Sequence, residues 1–166
     1  MARLYLEPGP RPRVTVAALL QDGDRFLLVE ESARGRLVLN QPAGHVEAGE
    51  TLEEAVVRET LEESAWRFEP SALVGLYLWN SPTGERVFLR AVYAGRALGH
   101  EAGRALDLGI VRTRWMTRNE IAAAVPRLRS PMVLRCVDDF LAGQTFPLSV
   151  VSSLLECRYE AVGHAG

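Results

Sequence analysis

Cysteine is scarce in this sequence: only Cys136 and Cys157 occur among 166 residues, far apart and outside any CxxC or Cys/His spacing. That speaks against a disulfide-stapled scaffold or a zinc site, and the two read as buried thiols of a reducing compartment. Long apolar runs are missing too. No stretch of about 18 uninterrupted apolar residues is present to cross a bilayer, and the opening residues, MARLYLEPGPRPR, contain no apolar segment of the signal-peptide kind. A cytoplasmic protein without a membrane partner is expected. Positive charge is not in excess, since 19 basic residues face 21 acidic ones for a net charge of −2. Binding to a nucleic acid duplex is therefore not expected, and any recognition of phosphate has to be local. No repeat, low-complexity tract or linker divides the chain, and 48% hydrophobic residues are enough for one core. Residues 1–166 are read as a single domain.

What is present alternates between strand and helix patterns. VTVAALLQ (14–21) leads into Asp22-Gly23, a type I′ turn signal, and then RFLLVEE, which predicts a hairpin. A third strand, RLVLNQ, stops at Pro42 before a loop with Gly44 and Gly49. Thr51 and Glu54 have capping-box spacing for a helix from Leu52 to Ser64. LVGLYLW (73–79) and RVFLRAVYA (86–94) predict a second hairpin around residues 80–84, residues 95–109 an irregular segment, and IVRTRWM another strand. Helices are expected from Asn119 to Val125 and from about Ser130 to Ala142, with Ser130 as N-cap and Pro131 at the first helical position. The order implies an α/β or α+β sandwich.

The chemistry concentrates between Gly44 and Glu63, GHVEAGETLEEAVVRETLEE. Glu59, Glu62 and Glu63 stand at i, i+3 and i+4, so their carboxylates share one helix face, which Leu52, Ala55 and Val56 continue as an apolar stripe. Like charges this close raise one another's pKa and destabilise the helix unless a cation reverses the balance. Oxygen ligands without Cys or His favour Mg²⁺, with Mn²⁺ as a substitute, and Mg²⁺ commonly bridges protein carboxylates to phosphate oxygens. An isolated ExxEE is more often a solvated face, with Arg58 pairing to Glu62 at i+4. The wider spacing, Gly44-x5-Glu50-x7-Arg58-Glu59-x2-Glu62-Glu63, fixes six identities and should arise by chance on the order of once in 10⁵ chains of this length.

This spacing resembles the signature of the Nudix hydrolases, G-x5-E-x7-R-E-U-x-E-E-x-G-U with U apolar, over a box at 44–66. Thr60 departs from it at the first U position and Ala65 at the glycine. Ala65 is expected either to take left-handed backbone, at a cost of about 1 kcal/mol, or to let the helix run on. The resemblance extends over residues 12–148. The phrases NQPAGH (40–45), FLR (88–90), RW (114–115), LRSP (128–131) and AGQTFPL (142–148) look like the NudJ-type branch. Members of that branch hydrolyse nucleoside tri- and diphosphates and the pyrophosphate of thiamine precursors. The resemblance implies an α/β/α sandwich with a mixed sheet and a Mg²⁺-dependent enzyme attacking phosphorus with water. It also implies Glu59, Glu62, Glu63 and the Gly44 carbonyl as metal ligands, with Arg58 and Glu50 orienting them. Its partner would be a small nucleotide or pyrophosphate, its state monomer or homodimer. A catalytically silent, nucleotide-sensing module is the alternative, although such a module would more readily have lost one carboxylate. A purely structural metal-binding helix would leave the Gly-bearing loop and Arg90 unexplained.

Further candidates are weaker one by one. Arg90 lies between Phe88 and Val92 on an apolar strand face, where a substrate phosphate would satisfy it, unless its stem snorkels along the sheet to solvent or it pairs with a structural carboxylate. Asp107 could complete the metal site, act as general base or simply be solvated. Tyr77 and Trp79 share a strand face and could stack on a base or belong to the core. Arg129 and Ser130 stand at a helix N-terminus able to bind an anion, although capping alone would explain Ser130. His45 alone carries no catalytic inference.

Overall fold

The computed structural model describes residues 11–33 and 35–155. Cys157 lies outside them, and Cys136 is a buried free thiol. The chain runs β1 (Arg13–Asp22), β2 (Arg25–Ala33), β3 (Arg36–Asn40), β4 (Ala43–His45), α1 (Leu52–Ser64), β5 (Trp66–Asn80), β6 (Val87–His100), β7 (Ile110–Thr117), α2 (Arg118–Ala123) and α3 (Met132–Leu141). Short 3₁₀ turns occupy Val125–Arg127 and Leu148–Val150. No helix among the described residues is long and apolar enough to cross a membrane.

Seven strands form one mixed sheet in the order β3-β2-β1-β6-β5, with β4 added beside β1 and β7 beside β2. β1 and β6 run parallel, and the other pairs are antiparallel. β1 holds the centre, buried on both faces from Thr15 to Leu20, which is why its sequence reads as a nearly unbroken apolar run. Its side chains alternate between two cores. Ala17 and Leu19 join Val92, Ile121, Met132, Val133, Cys136 and Val137 under α2 and α3. Val16, Ala18 and Leu20 join Ala55, Val56, Phe68 and Tyr93 under α1. Helices thus cover both faces, the α/β/α sandwich expected above.

Several local expectations need correction. Gly23 has φ 58 while Asp24 has no positive φ, so the first hairpin closes with the φ signs of a type II′ turn rather than type I′. β6 continues through residues 95–100, where an irregular segment was expected. Bulges at Arg67/Phe68, Pro70/Ala72 and Leu73/Gly75 disturb the alternation that would have announced the long pairing with β5. Gly95 serves one of them: a Cβ there would lie 2.1 Å from the Glu69 carbonyl oxygen. α2 starts at Arg118 behind a Thr117–Glu120 capping box and yields to the 3₁₀ turn that contains Pro126. α3 starts at Met132 with Pro131 in the cap position, so Ser130 caps nothing.

α1 conforms closely to its sequence. Thr51 and Glu54 make both bonds of the capping box, and Ala65 ends the helix in left-handed backbone at φ 57. Its apolar stripe of Ala55 and Val56 anchors the first half on the sheet and delivers the acidic second half to β4.

Candidate active site

Arg58 organises the glutamates. Its guanidinium grips Glu50 through Nε to Oε2 at 3.0 Å and Nη2 to Oε1 at 2.6 Å. Nη1 donates to Glu59 Oε1 at 2.9 Å and to Glu62 Oε2 at 3.0 Å, and Nη2 also donates to the His45 carbonyl at 3.0 Å. One planar cation therefore ties the Gly-bearing loop to two of the three helix carboxylates. The i+4 pair with Glu62 exists, but within this wider clasp. The Glu50 partnership holds Arg58 well above its ordinary pKa and Glu50 below its own.

Glu63 is treated differently. Its Oε2 accepts the Ala43 N–H at 2.8 Å, with no arginine among the described residues in hydrogen-bond contact. Burial, with Glu59, Glu31 and Asp107 adding to it, pushes its carboxyl up to about 8. Glu59 is also raised, first by burial and then by Glu62 and Asp107, against the opposing pull of Arg58. Gly44 accommodates Glu59: a Cβ on it would sit 2.0 Å from the Glu59 carboxyl carbon. Asp107 is exposed, yet its backbone N–H donates to the Glu62 carbonyl at 3.0 Å, which docks the loop before β7 against the end of α1.

These groups fit a hard divalent cation. Among the described residues no three acidic, His or Cys groups already converge on one point, and Arg58 holds one oxygen each of Glu59 and Glu62. Each carboxylate nevertheless keeps one oxygen outside the hydrogen bonds above: Oε2 of Glu59, Oε1 of Glu62 and Oε1 of Glu63. Oxygen donors with excess negative charge are what Mg²⁺ or Mn²⁺ requires.

The Glu63 carboxyl sets a pH signature. Its folded pKa of about 8 exceeds the ordinary 4.5, so between these values the unfolded chain has lost a proton that the folded chain holds. Stability of the metal-free protein should fall as pH rises through that window and level off above it. Denaturant midpoints in chelator from pH 4 to 9 should show the decline, and Glu63→Gln should remove most of it. A rise across the window in wild type would contradict the assignment.

β4, whose Ala43 N–H is bound by Glu63, also lines a cleft of about 500 Å³. Ala43, Gly44 and His45 line this cleft, with Thr15, Glu31, Asn40, Trp79, Arg90, Arg129 and Ser130. Arg90 is 7% exposed and makes no ion pair among the described residues. Its Nη1 donates to Asn40 Oδ1 at 3.3 Å, Nε has no partner, and burial depresses its pKa. The structural-carboxylate explanation thus has no carboxylate. Arg129 reaches Glu31 at 3.4 Å from the rim. Trp79 lines the cleft but stacks on Phe88, centroids 5.7 Å apart. Tyr77 belongs to the scaffold: it does not line the cleft, packs on the α3 core and donates to Asp139 at 3.0 Å. Sequence reasoning passed over Thr15 and Asn40. For Thr15 the available signal was a polar residue inside a strand apolar on both faces; Asn40, at the end of β3, carried no such signal.

A NUDIX domain model matches residues 10–135. The phosphatase NudJ of Escherichia coli is 36% identical over 141 residues, covering 85% of this chain and 91% of that protein. A NUDIX hydrolase from Nitrosomonas europaea superposes with a TM-score of 0.86 at 40% identity, over 89% of this chain and all of the other. The NUDIX domain of Shewanella oneidensis NrtR, solved with ADP-ribose, shares the fold at a TM-score of 0.64 and 18% identity, covering 80% and 88%. Such matches span most of the chain, and the Gly44-to-Glu63 spacing lies inside the matched region. The chain belongs to the Nudix hydrolase family, a family that generally works with divalent metal ions.

Proposed function

We propose that this chain is a Mg²⁺-dependent hydrolase, accepting Mn²⁺ in its place, that cleaves a phosphoanhydride bond of nucleoside di- or triphosphates or related pyrophosphates. The observation that carries this reading is the free oxygen left on each of Glu59, Glu62 and Glu63 while Arg58 holds the other side of the first two. With the Gly44 carbonyl, these would hold the cation. A cation there supplies charge for the non-bridging and leaving oxygens and lowers the pKa of an attacking water. In the balanced reaction the water oxygen bonds to phosphorus, the bridging P–O bond breaks with its electron pair going to the leaving phosphate, and one proton is released.

The protein's part is positioning. Arg58 and Glu50 fix the carboxylates to the loop, Asp107 adds negative charge at the metal end, and Arg90 and Arg129 give the cleft its positive end. A diphosphate lying from one end to the other would meet a sign of charge suited to each part. The curated NudJ relative, a phosphatase by name, supports hydrolysis that frees phosphate. We place the reaction in the cytoplasm, in one domain spanning the chain, as monomer or homodimer. A silent sensor finds no support in a site that keeps all three carboxylates.

The test is a panel of nucleoside triphosphates, diphosphates, ADP-ribose, dinucleoside polyphosphates and thiamine-precursor pyrophosphates, followed by phosphate and pyrophosphate release. Turnover of at least one is expected, and none at all would defeat the reading. On the best substrate, Arg90→Met should lower kcat/KM by about 10- to 100-fold, the loss of a hydrogen bond to a charged group. Because Met keeps the stem's contacts, the denaturant midpoint should hardly move. Unchanged kinetics with a large loss of stability would make Arg90 a scaffold residue.

A further inference from the structure

Three polar side chains in the cleft lack what buried polar groups normally have. Thr15 Oγ1, Arg90 Nε and Ser130 Oγ are buried with no hydrogen-bond partner among the described residues, on side chains of residues 3%, 7% and 6% exposed. All three residues line the same cleft, and the atoms come from three different segments: β1, β6 and the turn before α3. Strand register makes Thr15 and Arg90 direct neighbours across the parallel β1–β6 pair, with His45 beyond Thr15 on β4. A buried donor left unsatisfied has lost its hydration with no hydrogen bond in return. Three in one cavity are better explained by a ligand than by defective packing.

The ligand's chemistry follows from the donors. A guanidinium N–H only donates, and hydroxyls beside it are best used as donors too, so the partner is an oxyanion. α3 adds to this. Its N-terminus has no side-chain cap, with Pro131 contributing no N–H, and Ser130 and Met132 line the cleft at that end. The positive end of a ten-residue helix thus borders the cleft that the three donors line. Arg36, Arg86 and Arg129 stand at the same cleft, where Glu31 is the one carboxylate among the lining residues. Glu31 is already engaged by Asn40 and Arg129.

We propose that Thr15, Arg90 and Ser130, at the start of α3, form a phosphate subsite that holds the unesterified terminal phosphate of the substrate and, after cleavage, inorganic phosphate. This rests on the hydrolase reading for the substrate but not for phosphate itself. Donors from three segments match the three free oxygens of a terminal phosphate, whereas an internal phosphate offers two. The substrate class is accordingly a di- or triphosphate with a free end rather than a diphosphate esterified on both sides.

The subsite is tested without catalysis by titrating inorganic phosphate into the metal-free full chain in chelator, followed by calorimetry. Wild type should bind, and Thr15→Val and Ser130→Ala should each weaken binding about tenfold, the loss of one hydrogen bond to an anion. Both substitutions remove an unpaired buried hydroxyl at near-constant volume, so melting temperatures should hold or rise. No binding in wild type, or binding unchanged in both variants, would overturn the subsite. A second arm separates bound substrate from bound product. Both variants should lower kcat/KM about tenfold for a nucleoside diphosphate and much less for ADP-ribose, while phosphate inhibits wild type competitively. Equal losses on the two substrates would overturn the terminal-phosphate assignment. If nothing on the panel is hydrolysed, the titration still decides the subsite.

Discussion

Glu62→Gln and Glu63→Gln should each lower kcat by at least about 10²-fold while leaving the protein folded, since both side chains act at the proposed metal rather than in the core. Glutamine keeps the shape of each side chain and removes one negative charge. At Glu63 it can still accept the Ala43 N–H now bound at 2.8 Å. At Glu62 it can still accept from Arg58 Nη1, now 3.0 Å away. The scaffold therefore loses little, and melting temperatures in chelator should hold or rise as repulsion within the cluster falls. Near-wild-type rates in both variants would return the cluster to an ordinary solvated helix face.

Gly44→Ala is the second large effect. The backbone at Gly44 has no positive φ, so alanine is conformationally permitted there. What fails is space: the new methyl would meet the Glu59 carboxyl at 2.0 Å. That carboxyl is the end of a flexible side chain and can swing aside, so the fold should survive with a stability change of about 1 kcal/mol. Glu59 would lose its position and its hydrogen bond from Arg58. A displacement on the order of 1 Å at a reacting centre can cost about 10²-fold, and kcat should fall by that order. Wild-type kcat in Gly44→Ala would show that the close approach of Glu59 to β4 has no catalytic meaning.

How much of this was legible in the sequence depended on how local the cause was. The capping box of Thr51 and Glu54 and the acidic face of α1 are set within 15 residues and could be read directly, while the grip of Arg58 on Glu50 followed from the family resemblance. The extent of β5 and β6 could not. Their pairing runs from Trp66↔His100 to Asn80↔Val87 and depends on bulges that no single-strand alternation reveals. Ser130 was misread for a related reason. Ser-Pro before a helical pattern has the composition of a cap, but Pro131 takes the helical conformation itself and leaves the hydroxyl facing the cleft. Thr15 shows the limit most clearly, because its significance comes from Arg90, a register partner 75 positions away in the chain.

The carboxylates left open by Arg58 are expected to work through a divalent cation. Initial rates on the best panel substrate should be measured during Mg²⁺ titration of the chelator-treated full chain, and again with Mn²⁺. Turnover should stay at background in excess chelator and recover saturably with either ion, and the metal dependence of Glu63→Gln should be at least tenfold weaker. Full turnover in excess chelator would show that no cation is needed.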